Sequence, residues 1–362
     1  MTALRVPTDG QNNISADKPM TLTVLGCGTL GIAILCGILD SISHHPNKSA
    51  APSPAYPDSG TATPTTNGSS ASNGIDKLFQ TPTRFIGCVR RPQSAKRIKT
   101  AVADFPAVAS DVEIYQNQNV KAVEQADVVI LGCKPYMIAE ILREQGMRKA
   151  LAGKLLISIC AGVPVDQISD ALYEMPYKNV MDPDKNGQEE KPCCICRVMP
   201  NTAALVRESM TVIADSSPPL PQHYQELTDW IFTRVGRTVH LPPSMMDVST
   251  ALCGSGPAFV ALYLEALADG AVAMGLPRAE AQIMASQTLR GTAGLVQNGE
   301  HPALVREKVC TPGGCTIGGL IELEDGGVRG TVSRAVRRAT VVASQLGKGV
   351  SGVNGMVVGS ST

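Results

Sequence analysis

The sequence predicts a two-part chain, an α/β domain followed by an all-α domain, and three observations carry that prediction. Apolar strand-like runs alternate with helical segments up to about residue 240, a glycine-rich turn closes the first of those runs, and beyond Ser244 the pattern is helical almost throughout. With 362 residues and 43% hydrophobic side chains, the chain has material for a sizeable core and room for two or three domains.

Residues 21–25 (TLTVL) are β-branched and apolar, as in a buried parallel strand. They run directly into Gly26-Cys27-Gly28-Thr29-Leu30-Gly31 and an apolar helical segment. Strand, GxGxxG and helix in that order form the fingerprint of a Rossmann-type dinucleotide-binding domain. Gly26 makes the tight turn, Gly28 lets a pyrophosphate approach the backbone, and Gly31 allows the helix to lie close on the strand. The stretch 20–39 is also uncharged and about long enough to span a bilayer. Its glycines, threonines and strand-like opening argue against a membrane span, and its late start and nearly uncharged flank argue against a secretory signal.

Residues 1–20 read as a disordered N-terminus, and residues 41–80, rich in Ser, Thr, Pro, Asn and Gly, as a disordered insertion. A second strand (84–89) then ends in Arg90-Arg91-Pro92. Without the insertion these arginines fall about 24 residues beyond Gly26, near the roughly 20 expected of the ribose-reading position. An acid there bonds the 2′-hydroxyl of NAD, whereas arginine favours a 2′-phosphate, so the cofactor expected is NADPH, with NADH possible. The plainer alternative is that both arginines only solvate a strand end.

The alternation continues through a strand at 111–115, a helix at 119–125, a buried strand at 126–131 ending in Gly132-Cys133-Lys134-Pro135, and another at 154–159 ending in Cys160-Ala161-Gly162. Strands at 194–199 and 209–214 follow, the first closing on Met199-Pro200-Asn201-Thr202, with an acidic loop insertion at 181–192 upstream. From Leu220 the pattern turns helical. The expected organisation is a nucleotide-binding domain over 21–240, a helical domain over 241–346 and a flexible tail over 347–362. Ligands in such sheets lie off the carboxyl ends of the strands, so the cofactor belongs there.

In the helical part, 257–274 is apolar nearly all round, and a second long helix spans 278–297. Such helices must be covered on most sides, either by a second copy with interleaved helices or within a three-layer monomeric core. Further on, Cys310-Thr311-Pro312-Gly313-Gly314-Cys315-Thr316 precedes an apolar helix. By itself this stretch reads either as a plain glycine turn with a helix cap or as a pocket of main-chain N–H groups for a carboxylate or phosphate. A nucleotide fingerprint elsewhere in the chain favours the pocket.

Lys plus Arg and Asp plus Glu both count 32 and aromatics are 4%, so neither net charge nor stacking residues point to nucleic acid or an anionic membrane. Eleven cysteines, an odd number set in apolar strands and glycine turns, read as reduced thiols in a cytoplasmic protein. Cys193-Cys194-Ile195-Cys196 lacks a second pair or histidines at finger spacing, so no metal is expected.

Taken together, GCGTLG (26–31), GCKP (132–135), SICAGV (158–163), RVMPNT (197–202), CGSGPAF (253–259), LADGAVAMGLPR (267–278) and VCTPGGCTIGGLIELEDGGVRG (309–330) resemble the pyrroline-5-carboxylate reductases, over residues 21–345 apart from the two insertions. The resemblance implies reduction of a cyclic imine to L-proline with NAD(P)H in a homodimer or higher homo-oligomer whose sites draw on two subunits. It implies that Leu25, Gly26, Cys27, Gly28, Thr29 and Leu30 wrap the pyrophosphate and that Arg91, beside Arg90, meets the 2′-phosphate. Asn119 is then expected at the adenosine ribose, with Gly132, Cys133, Lys134, Pro135, Ile159, Cys160, Ala161 and Asn201 lining the cofactor toward the nicotinamide. Thr311, Gly313, Gly314, Cys315 and Thr316 are expected to hold the substrate, the imine nitrogen near the Thr316 hydroxyl. Lys308 stands where the family often carries a polar amide. Other readings are a reductase of another cyclic imine, a β-hydroxyacid reductase, which normally needs a lysine that the long helix at 257 lacks, and an inactive NADP-sensing regulator, for which a second anion pocket has no use.

Overall fold

The computed structural model describes residues 19–44, 80–186 and 190–347. The expected disorder of 1–18, of 45–79 within the insertion, and of the tail from 348 lies outside the described residues, as do 187–189 of the acidic loop.

The strands are β1 (Thr21–Leu25), β2 (Arg84–Val89), β3 (Val112–Gln116), β4 (Val128–Leu131), β5 (Leu155–Ser158), β6 (Cys194–Met199), β7 (Ser209–Ala214) and β8 (Gly236–Leu241). They form one eight-stranded sheet in the order β3-β2-β1-β4-β5-β6-β7-β8, parallel throughout except between β6 and β7. The order reverses beside β1, where β2 lies on one side and β4 on the other. The crevice at that switch point is where a dinucleotide sits in such sheets.

Helices α1 (Thr29–His44), α2 (Pro92–Val102), α3 (Asn119–Glu124), α4 (Ile138–Leu142), α5 (Met147–Leu151), α6 (Val165–Tyr173), α7 (Tyr177–Val180), α8 (Pro183–Asn186) and α9 (Gln222–Thr233) accompany the sheet. Strand alternation divides the core between its two faces. Leu22 and Val24 join α1 and Phe232 of α9 on one, while Leu25 and Val129 join α4 to α6 on the other. The uncharged 20–39 segment is thus split between a strand and an apolar helix packed on it and buried on nearly all sides.

Three expectations need correction. Helix α1 runs to His44, so residues 41–44 belong to it and not to the insertion; Ser43 Oγ donates to Leu39 O in the usual back-bonding manner. The acidic loop contains a helical turn, α8. The pattern after Leu220 is not wholly helical, because β8 pairs along its whole length with β7. Its polar sequence GRTVHL hides it, and its first residue, Gly236, has φ of +148° with its Cα so close to Ser209 that a Cβ there would overlap the β7 backbone.

The remaining helices are α10 (Met246–Ser249), α11 (Gly256–Ala273), α12 (Arg278–Gln297), α13 (Pro302–Val309), α14 (Cys315–Asp325) and α15 (Val328–Gly347). Within one chain α11 buries only Ala268 and α12 only Ala281, leaving Leu262 68% and Ile283 67% exposed. The stretch 243–273 is apolar and long enough to cross a membrane, yet its own chain covers little of it. A monomeric three-layer core is therefore not what these helices build; their apolar surface is left for another chain to cover.

The two parts meet through a buried cluster of Met246 with Met199, Val212 and Ala214 and through polar and backbone contacts. Asn201 Nδ2 donates to Cys253 O at 3.0 Å, Arg197 on β6 lies 3.9 Å from Asp247 on α10, and Gly347 at the end of α15 packs on the backbone of Gly162.

Candidate active site

The nucleotide turn follows from three different glycine constraints. Gly26 has φ of +72°, and a Cβ on it would stand 2.7 Å from Cys133 N, so no other residue fits between the ends of β1 and β4. Gly31 would place a Cβ 2.9 Å from Val24 Cγ1, which fixes the close seat of α1 on β1. A Cβ on Gly28 would meet only Gly26 O, at 3.8 Å, leaving its outer side open for a ligand. Gly26 and Gly31 thus have the turn and packing geometry the fingerprint assigns them.

The donors of the turn divide cleanly. Gly26 N and Cys27 N both donate to Cys88 O of β2, Gly28 N to Gly26 O, and Ile32 N to Gly28 O. The N–H groups of Thr29, Leu30 and Gly31, in the first turn of α1, have no intrahelical acceptor. With no acid in that turn, the positive end of α1 faces the crevice uncompensated, a cradle for a phosphate. Burial pushes the Cys27 thiol up to about 12, so it is a neutral packing group.

Arg90 and Arg91 lie beyond the end of β2, both exposed, with Arg91 preceding α2 in extended backbone and offering no cap to it. A further arginine escaped the sequence reading: Arg97 Nη2, on α2, donates to Thr29 Oγ1 at 3.0 Å across 68 positions. Leu25 is buried beneath the turn and Leu30 is half-buried beside it.

Gly132, Cys133, Lys134 and Pro135 leave β4 next to Gly26; Ile159, Cys160 and Ala161 leave β5 beside them. Cys160 Sγ donates to the carbonyls of Leu131 and Cys133, both at 3.3 Å. The hydrogen bond that the Cys133 thiol donates toward Cys160, then burial, keep Cys133 protonated. This wall is uncharged apart from the exposed Lys134.

Two expected cofactor contacts are already engaged within the protein. Asn119 Nδ2 donates to Glu144 Oε1 at 2.5 Å while its Oδ1 accepts from the Cys88 thiol, which fixes the side chain at the head of α3 and leaves its second N–H uncommitted to these partners. Asn201 Oδ1 accepts from Ala203 N and its Nδ2 donates to Cys253 O, which makes it a joint between the end of β6 and the helical part.

The Thr311–Thr316 stretch forms a tight turn leading into a helix. Gly314 N donates to Thr311 O at 3.0 Å, closing a four-residue turn with Pro312 second and Gly313, at φ of +70°, third. A Cβ on Gly314 would stand 2.5 Å from Thr311 Oγ1, so that residue must also be small. Helix α14 starts at Cys315, with Gly314 as its cap and Thr316 as its second residue, so Thr316 lies inside the helix and does not cap it. Cys315, Thr316 and Ile317 then carry N–H groups with no intrahelical acceptor. Thr316 is half-buried and Cys315 exposed. Lys308, on α13, is bound to Glu300 at 2.8 Å, so its charge is locally answered.

Residues 243–346 match the family described as pyrroline-5-carboxylate reductase dimerisation, and residues 66–162 match NADP oxidoreductase coenzyme F420-dependent. A pyrroline-5-carboxylate reductase of Lophium arboricola is 57% identical over 338 residues, 93% of this chain and 96% of that protein. The chain belongs to the pyrroline-5-carboxylate reductase family. The reductase of Neurospora crassa is 47% identical over 355 residues, 94% of this chain and 98% of that protein. The fold is shared with solved reductases of Coxiella burnetii (TM-score 0.66, 22% identity, 91% of this chain and 99% of that one) and of Plasmodium falciparum with NADP bound (TM-score 0.63, 22% identity, 91% and 98%).

Proposed function

We propose that this chain reduces 1-pyrroline-5-carboxylate to L-proline with NADPH, the last step of proline biosynthesis, as a homodimer or higher homo-oligomer. The observation that carries this reading is the pair of main-chain anion cradles, one at the start of α1 and one at the start of α14, each free of acidic side chains in its first turn. The residues of the first fit a dinucleotide: three free N–H groups, an open Gly28 and arginines at the ribose-phosphate edge. When bound, the reduced nicotinamide supplies a hydride to the imine carbon. The N–H groups of Cys315 to Ile317 hold the substrate carboxylate, which fixes the ring. The Thr316 hydroxyl orients the imine nitrogen, solvent being the ultimate proton source. An iminium carbon is already electrophilic, so alignment and exclusion of water are the main requirements.

Each site takes its nucleotide cradle from one subunit and its substrate turn from another. Two features support this. The apolar faces of α11 and α12 are uncovered within one chain. The family model that matches residues 243–346 describes dimerisation, and that stretch contains the substrate turn. A cytoplasmic location agrees with eleven free cysteines.

The test is consumption of NADPH, followed by absorbance, with pyrroline-5-carboxylate, repeated with NADH. Absence of turnover with both would overturn the proposal. At the 2′-phosphate, Arg91→Ala is expected to raise the NADPH Kd by about ten- to a hundredfold, the equivalent of losing a charge-assisted contact of roughly 1.5–3 kcal/mol. NADH binding should hardly change; an unaltered NADPH Kd would remove Arg91 from that role.

A further inference from the structure

Arg97 holds an arrangement that folding alone does not explain. Its guanidinium reaches from α2 to the first residue of α1, and both partners are exposed. A positive side chain beside a helix N-terminus opposes the helix dipole, the reverse of what a stabilising charge does. No acid stands in that first turn to compensate it. The mismatch becomes a match once an anion enters the cradle.

The hydrogen-bond direction points the same way. Thr29 Oγ1 accepts from Arg97 Nη2, so the hydroxyl keeps its own proton for an outward acceptor. Gly28, next to Thr29 in the turn, leaves its own outer side open. Arg90 and Arg91 lie at the end of β2, the edge that reads the ribose, whereas Arg97 stands at the turn itself. Distance along the fold thus separates two arginine groups by the phosphate each can reach.

We propose that Arg97 is a positioning residue for the dinucleotide pyrophosphate, acting with the Thr29 hydroxyl, and that it serves NADPH and NADH alike while Arg91 serves the 2′-phosphate alone. The proposal rests on the nucleotide site described above. Its mark is a loss of affinity that is blind to the 2′-phosphate.

The experiment compares the wild-type protein with Arg97→Gln, Arg97→Lys and Thr29→Val by dinucleotide binding, followed by fluorescence, and by thermal shift of the ligand-free protein with and without inorganic pyrophosphate. Arg97→Gln should raise the Kd for NADPH and for NADH by the same factor, about five- to tenfold on the scale of 1.4 kcal/mol per decade. The upward thermal shift given by pyrophosphate should shrink, kcat should change less than about twofold for a contact made equally in ground and transition states, and Arg97→Lys should recover part of the loss. Thr29→Val should lose less in the Arg97→Gln background than alone, as coupled partners do. Unlike a residue that only braces the fold, Arg97→Gln should leave the ligand-free melting temperature unlowered at low salt. A loss confined to NADPH, no loss with either dinucleotide, or a lowered ligand-free melting temperature would overturn the assignment. Failure of the wild-type protein to bind either dinucleotide would instead sink the reading of the nucleotide site.

Discussion

Thr316→Ala is expected to lower kcat/KM for pyrroline-5-carboxylate by about a hundredfold, the low end of what a positioned proton-transfer group contributes. The Kd for NADPH should stay within about twofold, since the residue lies on α14 and the nucleotide cradle on α1. The expectation follows from the division of labour in the turn. Main-chain N–H groups at Cys315 to Ile317, proposed to hold the carboxylate, survive the substitution, so KM should rise less than kcat falls. Thr316→Ser keeps the hydroxyl and should restore most of the rate. Steady-state kinetics with both variants decides the matter: full turnover in Thr316→Ala would place the proton source elsewhere, and a change in KM alone would reduce the hydroxyl to a binding group.

The second large effect is expected from Leu262→Asp. Leu262 is 68% exposed on α11 and lines the groove between α11 and α12, so one chain should fold with the aspartate in water and keep its helical circular dichroism. In a dimer the carboxylate would be buried without a partner, at a cost of several kcal/mol. Each 1.4 kcal/mol is a decade in Kd, which implies a dimer weakened by roughly a thousandfold or more. Sedimentation should show smaller particles, and, on the proposed sharing of each site between two chains, activity should fall with dissociation. A variant that stays dimeric and active would show that this face of α11 is not the interface.

What was legible in the sequence divides along the range of the forces involved. The first strand, the glycine turn and α1 could be read because Gly26 is constrained by the neighbouring strand end and Gly31 by Val24 of the preceding strand, with Gly28 left open between them. The Thr311-to-Thr316 turn was legible for the same reason: Pro312 and Gly313 specify it locally. Strand β8 was not legible, since GRTVHL shows no apolar run and owes its extension to pairing with β7. Arg97 was missed because its contact with Thr29 spans 68 positions and leaves no mark on local pattern. Asn119 and Asn201 were assigned to the cofactor from motif position alone, and only coordinates show that Glu144, Cys88 and Cys253 already engage their amides. The uncovered sides of α11 and α12 were half legible: composition gave their apolarity, and the fold showed that nothing in the same chain covers them.

Helix α15, pinned to Gly162 at one tip and carrying α14 at the other, has a genetic corollary once the centres are shared. A lesion in the cradle of one protomer and a lesion in the turn of the other fall in the same place, which leaves the opposite centre whole. Two inactive preparations, one broken at Arg91 and Gly28 and one at Thr316, would therefore regain activity when dissociated and reassembled together. Two alleles of these kinds would complement each other inside a single assembly.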